Sequence, residues 1–296
     1  MSRSLEDGHD GAALQDVPDD PPRPGGRPHR TGRRGPGWMN GGRGRGWLNA
    51  LLLALVLGWA VHGTGLSLGA LAEGGGGALL LVEGLLSPDL SGAFLADVAG
   101  ALVETVQISL TGLLFAALLG LPLAVLIAGN VEAPPALRAA ARTTAATLRG
   151  VPDLLWALLF VAMLGPGAAA GSLALAVHGA GLLAKLCAEQ LEAVDPAPVE
   201  ALRLTGSGRM GTTALAIVPQ SAPGLASLLL YQWECNLRTS TVLGFVGAGG
   251  VGQELAVSLR LFRYDELSTL VIAVLAVILV VDLGSRMLRR RLGAAA

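Results

Sequence analysis

The side chains that could do chemistry in this chain sit in apolar surroundings. Lys185 is its only lysine and stands four residues before Glu189, so on a helix the two share one face. His178 lies two turns earlier on the same run. A second polar set, Glu234, Asn236 and Arg238, follows another apolar stretch. Charged groups inside an apolar span are costly and mark functional sites by default. Acid–base catalysis would need an acid and a base at one depth. A helical rise of about 1.5 Å per residue sets His178 and Glu189 about 16 Å apart, so they cannot act on one bond from one helix. For Lys185 and Glu189 two readings stay open, a structural or loop contact and a substrate contact. For His178 they are a core hydrogen bond and a place along a pathway. For Arg238 they are an ion pair with Glu234 and contact with an anion, whose oxygens its forked guanidinium would suit. Arg260 and Arg263 lie further on, where they could line a mouth or meet a negatively charged partner.

Other patterns exclude chemistry. Gly247-Ala248-Gly249-Gly250-Val251-Gly252 fits G-x-G-x-x-G, but a dinucleotide site needs a strand, turn and helix in a soluble parallel sheet. The run reads instead as flexible, closely packed backbone, with Gly247, Gly249, Gly250 and Gly252 allowing close approach. There is no G-x-x-x-x-G-K-[ST] loop, so any ATP hydrolysis belongs to another polypeptide. Cys187 and Cys235 stand alone in apolar contexts and read as small core residues. No metal, no cofactor and no nucleic-acid partner is indicated.

The elements that must carry these residues are membrane spans. Of 296 residues, 52% are hydrophobic and only 15% charged, with mean hydropathy +0.58; soluble domains carry about 25% charged residues. Residues 1–46 hold eight Arg and six Asp or Glu among many Gly and Pro, a composition that cannot bury enough surface to fold alone. They read as a disordered cytoplasmic tail behind which a first span is retained. Six spans are expected: Trp47–Gly63, Leu102–Ala128, Val151–Leu164, Ser172–Glu189, Thr213–Trp233 and Leu267–Leu283, the third and fourth split by Gly165-Pro166-Gly167. Short spans with polar residues are tolerated when buried in protein or lining a cavity. Arg33, Arg34, Arg43, Arg45, then Arg138, Arg142, Arg149, then Arg203 and Arg209, then Arg286, Arg289, Arg290 and Arg291 all fall on one side of such a bundle. By the excess of cytoplasmic arginine, both termini are cytoplasmic. The exceptions Arg238, Arg260 and Arg263 require a local reason. The expected organisation is a tail at 1–46, a first span and periplasmic segment at 47–99, and a membrane domain at 100–290.

The loop at 195–219 reads as a helix–turn–helix on the membrane surface. Asp195 is placed to cap a helix with Pro196 in its first turn, and Gly206 to end it in a left-handed conformation. A second helix from Ser207 leads to Val218-Pro219. The spacing resembles the EAA motif of ABC importer permeases: Glu200-Ala201-Leu202, then Arg203, then Gly206, nine residues, and Ala216-Ile217-Val218-Pro219. Leu202 and Ala216 depart from that pattern, while Glu200, Gly206 and Pro219 keep it. The stretches Arg149–Phe160, His178–Gly181, Lys185-Leu186, Tyr231–Arg238 and Thr241–Gly252 resemble permeases of the phosphonate importers, over residues 100–290 or so.

The resemblance implies an all-α, polytopic transmembrane bundle of the ABC importer permease (MetI-like) fold in a bacterial inner membrane. It implies a loop, Glu200 to Arg203 with Gly206 and Pro219, that docks on an ATPase subunit. It implies ABC ATPase subunits, a periplasmic solute-binding protein and a second permease chain as partners, besides membrane lipid. It also implies a non-enzymatic role for this chain, moving phosphonate or a related small oxyanion along a pathway for which His178, Glu234, Asn236 and Arg238 are the candidates. A permease for another small solute, a secondary transporter and an intramembrane enzyme are the alternatives. A secondary transporter would show inverted repeats between its halves, which the sequence lacks.

Overall fold

The computed structural model describes residues 43–64, 68–131 and 133–291, and every regular element among them is helical. The chain divides into two units, residues 1–67 and 68–296. Most of the expected tail lies outside the described residues. The first unit supplies α1 (Arg43–Gly63), whose Gly46–Gly63 stretch is apolar enough to cross a membrane.

The second unit holds α2 (Leu68–Leu85), α3 (Gly92–Ile127), α4 (Pro135–Gly150), α5 (Asp153–Leu164), α6 (Ala168–Glu192), α7 (Pro196–Leu204), α8 (Arg209–Thr212), a π-helical turn at Thr213–Ile217, α9 (Val218–Gly244), α10 (Val251–Arg260) and α11 (Tyr264–Arg291). Helices α3, α6 and α11, and α8 to α9 taken through the π turn, are each long and apolar enough to span. The turn has a local cause. Pro219 has no N–H to return to the preceding helical turn, and the wider π register takes up that missing bond.

Helices α3 and α6 form the centre of the unit and are packed through small residues. A Cβ on Gly120 would lie 2.8 Å from the Ala180 carbonyl oxygen, and one on Gly112 would lie 2.7 Å from the Leu175 Cβ. Close helix approach of this kind replaces hydrophobic drive inside a bilayer. Around this seam, Ala116, Ala124, Leu183, Cys187 and Leu191 form a buried cluster that continues into Val199 and Ile217. Cys187 is fully buried there, as a small core residue. Cys235 is half-buried.

One expected span is corrected. Val151–Leu164 is not a straight crossing: α5 has 12 residues, a length of about 18 Å against a hydrocarbon core of about 30 Å. It joins α4 at a bend of 84°, and only the pair is long enough to count as one broken span. Hydropathy registers the apolar run and not the Pro152 that turns it. Among the described residues, five helices are therefore long and apolar enough to span, or six crossings if the bent pair is one.

Candidate functional site

Helix α7 begins as its residues dictate. Asp195 accepts a hydrogen bond from the Ala197 N–H at 3.0 Å, and Pro196 takes the first helical position. Gly206 ends the helix at φ +82°. Its N–H donates to the Arg203 carbonyl at 3.0 Å and the Ser207 N–H to the Leu202 carbonyl at 3.3 Å, the paired bonds of a Schellman cap. Val199 and Leu202 turn inward onto the Leu191–Ile217 cluster. Glu200 and Ala201 face out. Leu204 and Met210, on either side of the turn, are 89% and 87% exposed. Two large apolar side chains thus bracket a rigid, outward-facing turn. Pro219 sits in the first turn of α9, behind the loop.

A residue that sequence reasoning missed ties the loop to the bundle. Arg203 donates to the Asn130 carbonyl at 2.9 Å, and the Asn130 amide donates to the Leu191 carbonyl at 2.6 Å. Asn130 follows α3 and Leu191 ends α6, so α7 is anchored to both central helices at one end. The sequence signal was Gly129-Asn130, a turn pair, which says nothing of its partner.

The interior candidates His178 and Asn236 have protein partners. His178 Nδ1 donates to the Val151 carbonyl at 3.1 Å, and Trp156 Nε1 donates to the Leu148 carbonyl at 3.2 Å. Both serve carbonyls freed where α4 breaks from α5, as a buried helix end requires. Asn236 is buried: Gln232 donates to its side-chain oxygen at 2.9 Å, and its amide donates to the Ser109 carbonyl at 3.3 Å. Trp233 Nε1 reaches the Ser109 hydroxyl at 3.2 Å.

The expected Glu234–Arg238 pair is not formed. Glu234 instead holds Arg289 of α11 at 2.8 Å, with side chains 10% and 20% exposed. Arg238 points outward, and its guanidinium lies 3.6 Å from the Cys235 sulfur. A partner on the facing helix meets Glu234 inside the bundle, whereas Arg238 keeps its hydration. Of the other two exceptional arginines, Arg263 pairs with buried Glu266, which also accepts from the Ser258 hydroxyl at 3.2 Å; that supplies its local reason. Arg260 lines an open cavity of about 350 Å³ with Gln253 and the Gly244–Gly247 turn.

Gly247, Gly249 and Gly250 have φ of +89°, +83° and +69°. Gly247 accepts from the Gly167 N–H at 2.8 Å, and the Val251 N–H donates to the Thr105 hydroxyl at 2.8 Å. Gly252 is helical and lies against α9, where a Cβ would meet the Thr241 carbonyl oxygen. This run therefore turns α9 back on itself as α10.

The second unit is thus a helical bundle with a broken crossing and an anchored, outward-facing helix–turn–helix. The chain belongs to the binding-protein-dependent transport system inner membrane component family, which matches residues 120–294. It is 41% identical over 187 residues to the phosphite transport system permease protein PtxC of Stutzerimonas stutzeri, covering 63% of this chain and 68% of that protein. It is 40% identical over 196 residues to the phosphate-import permease protein PhnE of Mycolicibacterium smegmatis, covering 66% of this chain but 37% of that one. Among solved structures, an inward-facing MetNI methionine ABC transporter chain superposes with TM-score 0.62 at 20% identity, over 69% of this chain and 99% of that one. A bacterial ABC transporter chain from an alginate import system superposes with TM-score 0.54 at 18% identity, over 83% and 96%. The MetI-like permease fold expected from the sequence is the fold observed.

Proposed function

We propose that this chain is the permease of an ABC importer for phosphite, phosphonate or a like small oxyanion, working as a homodimer. ATP hydrolysis takes place on separate ATPase subunits, and a periplasmic binding protein delivers the substrate. Both termini and the α7 loop face the cytoplasm. The observation that carries this reading is the loop itself: Leu204 and Met210 stand out from the turn at Gly206, while Arg203 ties it through Asn130 to the ends of α3 and α6. A push on that turn moves the two central helices together, which is what coupling ATPase closure to alternating access demands. The substrate class rests on the phosphite and phosphate relatives.

The test is reconstitution with the ATPase and the binding protein in vesicles, with phosphite-stimulated ATP hydrolysis as readout. Gly206→Val forces a β-branched residue to φ +82°, a strain of about 1–3 kcal/mol. The expected result is normal insertion with lost stimulation. Full stimulation by the variant, or phosphite uptake without any ATPase, refutes the reading.

A further inference from the structure

On the side of the bundle where α7 is anchored, a cavity of about 390 Å³ opens between the end of α3, α4 and the last two turns of α6. Three cations, Arg142, Arg149 and Lys185, line it against two carboxylates, Glu189 and Glu192, over a floor of Ile127, Ala145, Ala146 and Ala188. The cavity is deep. Lys185 precedes Glu192 by seven residues, about 10 Å along the helix. The Arg149 backbone nitrogen packs against Gly181, where a Cβ would come within 2.6 Å, so α4 brings its last arginine to the middle of α6.

Both carboxylates are engaged, and of the three cations Lys185 is engaged with one of them. Glu192 accepts the Gly129 N–H at 2.6 Å, closing the end of α3. Glu189 lies 3.7 Å from Lys185. Arg142 makes only a long 3.4 Å bond to the Ile127 carbonyl, and Arg149 has no hydrogen-bond or ion-pair partner among the described residues. A charge-lined cleft reaching this far along a span is filled by water or by a charged ligand, never by lipid tails. Its surplus of donors and positive charge selects an anion, and two guanidinium forks with one ammonium suit tetrahedral oxygens. The opposing carboxylates keep the affinity low.

We infer that this cavity is an oxyanion site, taking a phosphorus oxyanion through Arg142, Arg149 and Lys185. The oxyanion is either the solute on its way out, which rests on the importer reading above, or the phosphate of an inner-leaflet phospholipid. Both present the same oxygens.

The test uses the full chain in a sugar-based detergent that contains no phosphate. Phosphite, whose P–H doublet separates it from lipid phosphorus, is titrated in by phosphorus NMR. Phosphatidylglycerol retained through purification is measured by mass spectrometry. Arg149→Gln with Lys185→Gln is the test variant. Lys185→Gln alone alters a side chain that is 51% exposed and remains informative if the double variant does not fold. Phosphite broadening that weakens by about a hundredfold in the double variant, the loss of two charge-assisted hydrogen bonds at about tenfold each, and survives Lys185→Arg supports the site with the solute as ligand. Absent broadening, with retained phosphatidylglycerol falling in the variant, supports it with lipid as ligand. Equal broadening and equal lipid in wild type and folded variants overturn the site. A stimulated ATPase with no variant effect on binding sinks only this inference. A binding cavity in a complex that phosphite does not stimulate sinks only the importer reading.

Discussion

Replacing Arg289 by Gln isolates an ion pair that joins α9 to α11 inside the bundle. The guanidinium lies 2.8 Å from the Glu234 carboxylate, and the two side chains are 20% and 10% exposed. Removing the cation leaves a carboxylate nearly buried between α9 and α11, and breaking such a pair from one side costs about 3–5 kcal/mol. Residual exposure favours the low end, about 3 kcal/mol. For a chain of this size each kcal/mol moves the midpoint by about 2–4 °C, so Arg289→Gln is expected to lower Tm by about 6–12 °C. Glu234→Gln combined with Arg289→Gln is expected to recover most of that, since no buried charge then remains. Arg238→Gln serves as the comparison: its side chain faces outward, and its stability is expected to fall within about 0.5 kcal/mol of wild type. Tm is read from the detergent-solubilised, monodisperse fraction remaining after a heating series. If Arg238→Gln destabilises as much as Arg289→Gln, or if the double variant is no better than Arg289→Gln, the pairing is wrong.

His178→Ala strips the Val151 carbonyl of its donor at the α4–α5 break and is expected to cost about 1–3 kcal/mol, seen as lower Tm and faster proteolysis near Gly150. Reporter fusions after Leu90 and Arg290 test topology: an enzyme active only outside the cytoplasm is expected to work at Leu90 and stay silent at Arg290, and the reverse pattern refutes the proposed orientation.

What was legible in the sequence was local. The cap at Asp195, the proline beside it and the left-handed Gly206 are decided by neighbours within one turn, and each stands where its residue type placed it. The Gly165-Pro166-Gly167 break between α5 and α6 is of the same kind, with φ of +87° at Gly165 and +145° at Gly167. Partners across helices were not legible. Glu234 and Arg238 share a helix face, which suggested a pair, but spacing on one helix cannot reveal an arginine 55 residues on. Asn130 was invisible as an anchor for the same reason. The bent crossing was half-legible: an apolar run of 12 residues at α5 was evident, yet its direction was set by Pro152 and by the carbonyls that His178 and Trp156 take up. Helix α2 was not foreseen, because the run Gly74–Gly77 argues against a helix by propensity.

The broken crossing also bears on how the chain enters its membrane during synthesis. When α5 emerges it is too short to remain across a bilayer, and the carbonyl of Val151 has no donor until His178, 27 residues later, has been made. Gly181 then closes on the Arg149 backbone. Residues 135–192 thus have to be handed to the lipid together, as a hairpin completed before release, rather than as two successive spans. The contacts of His178 with Val151 and of Gly181 with the Arg149 backbone complete that hairpin.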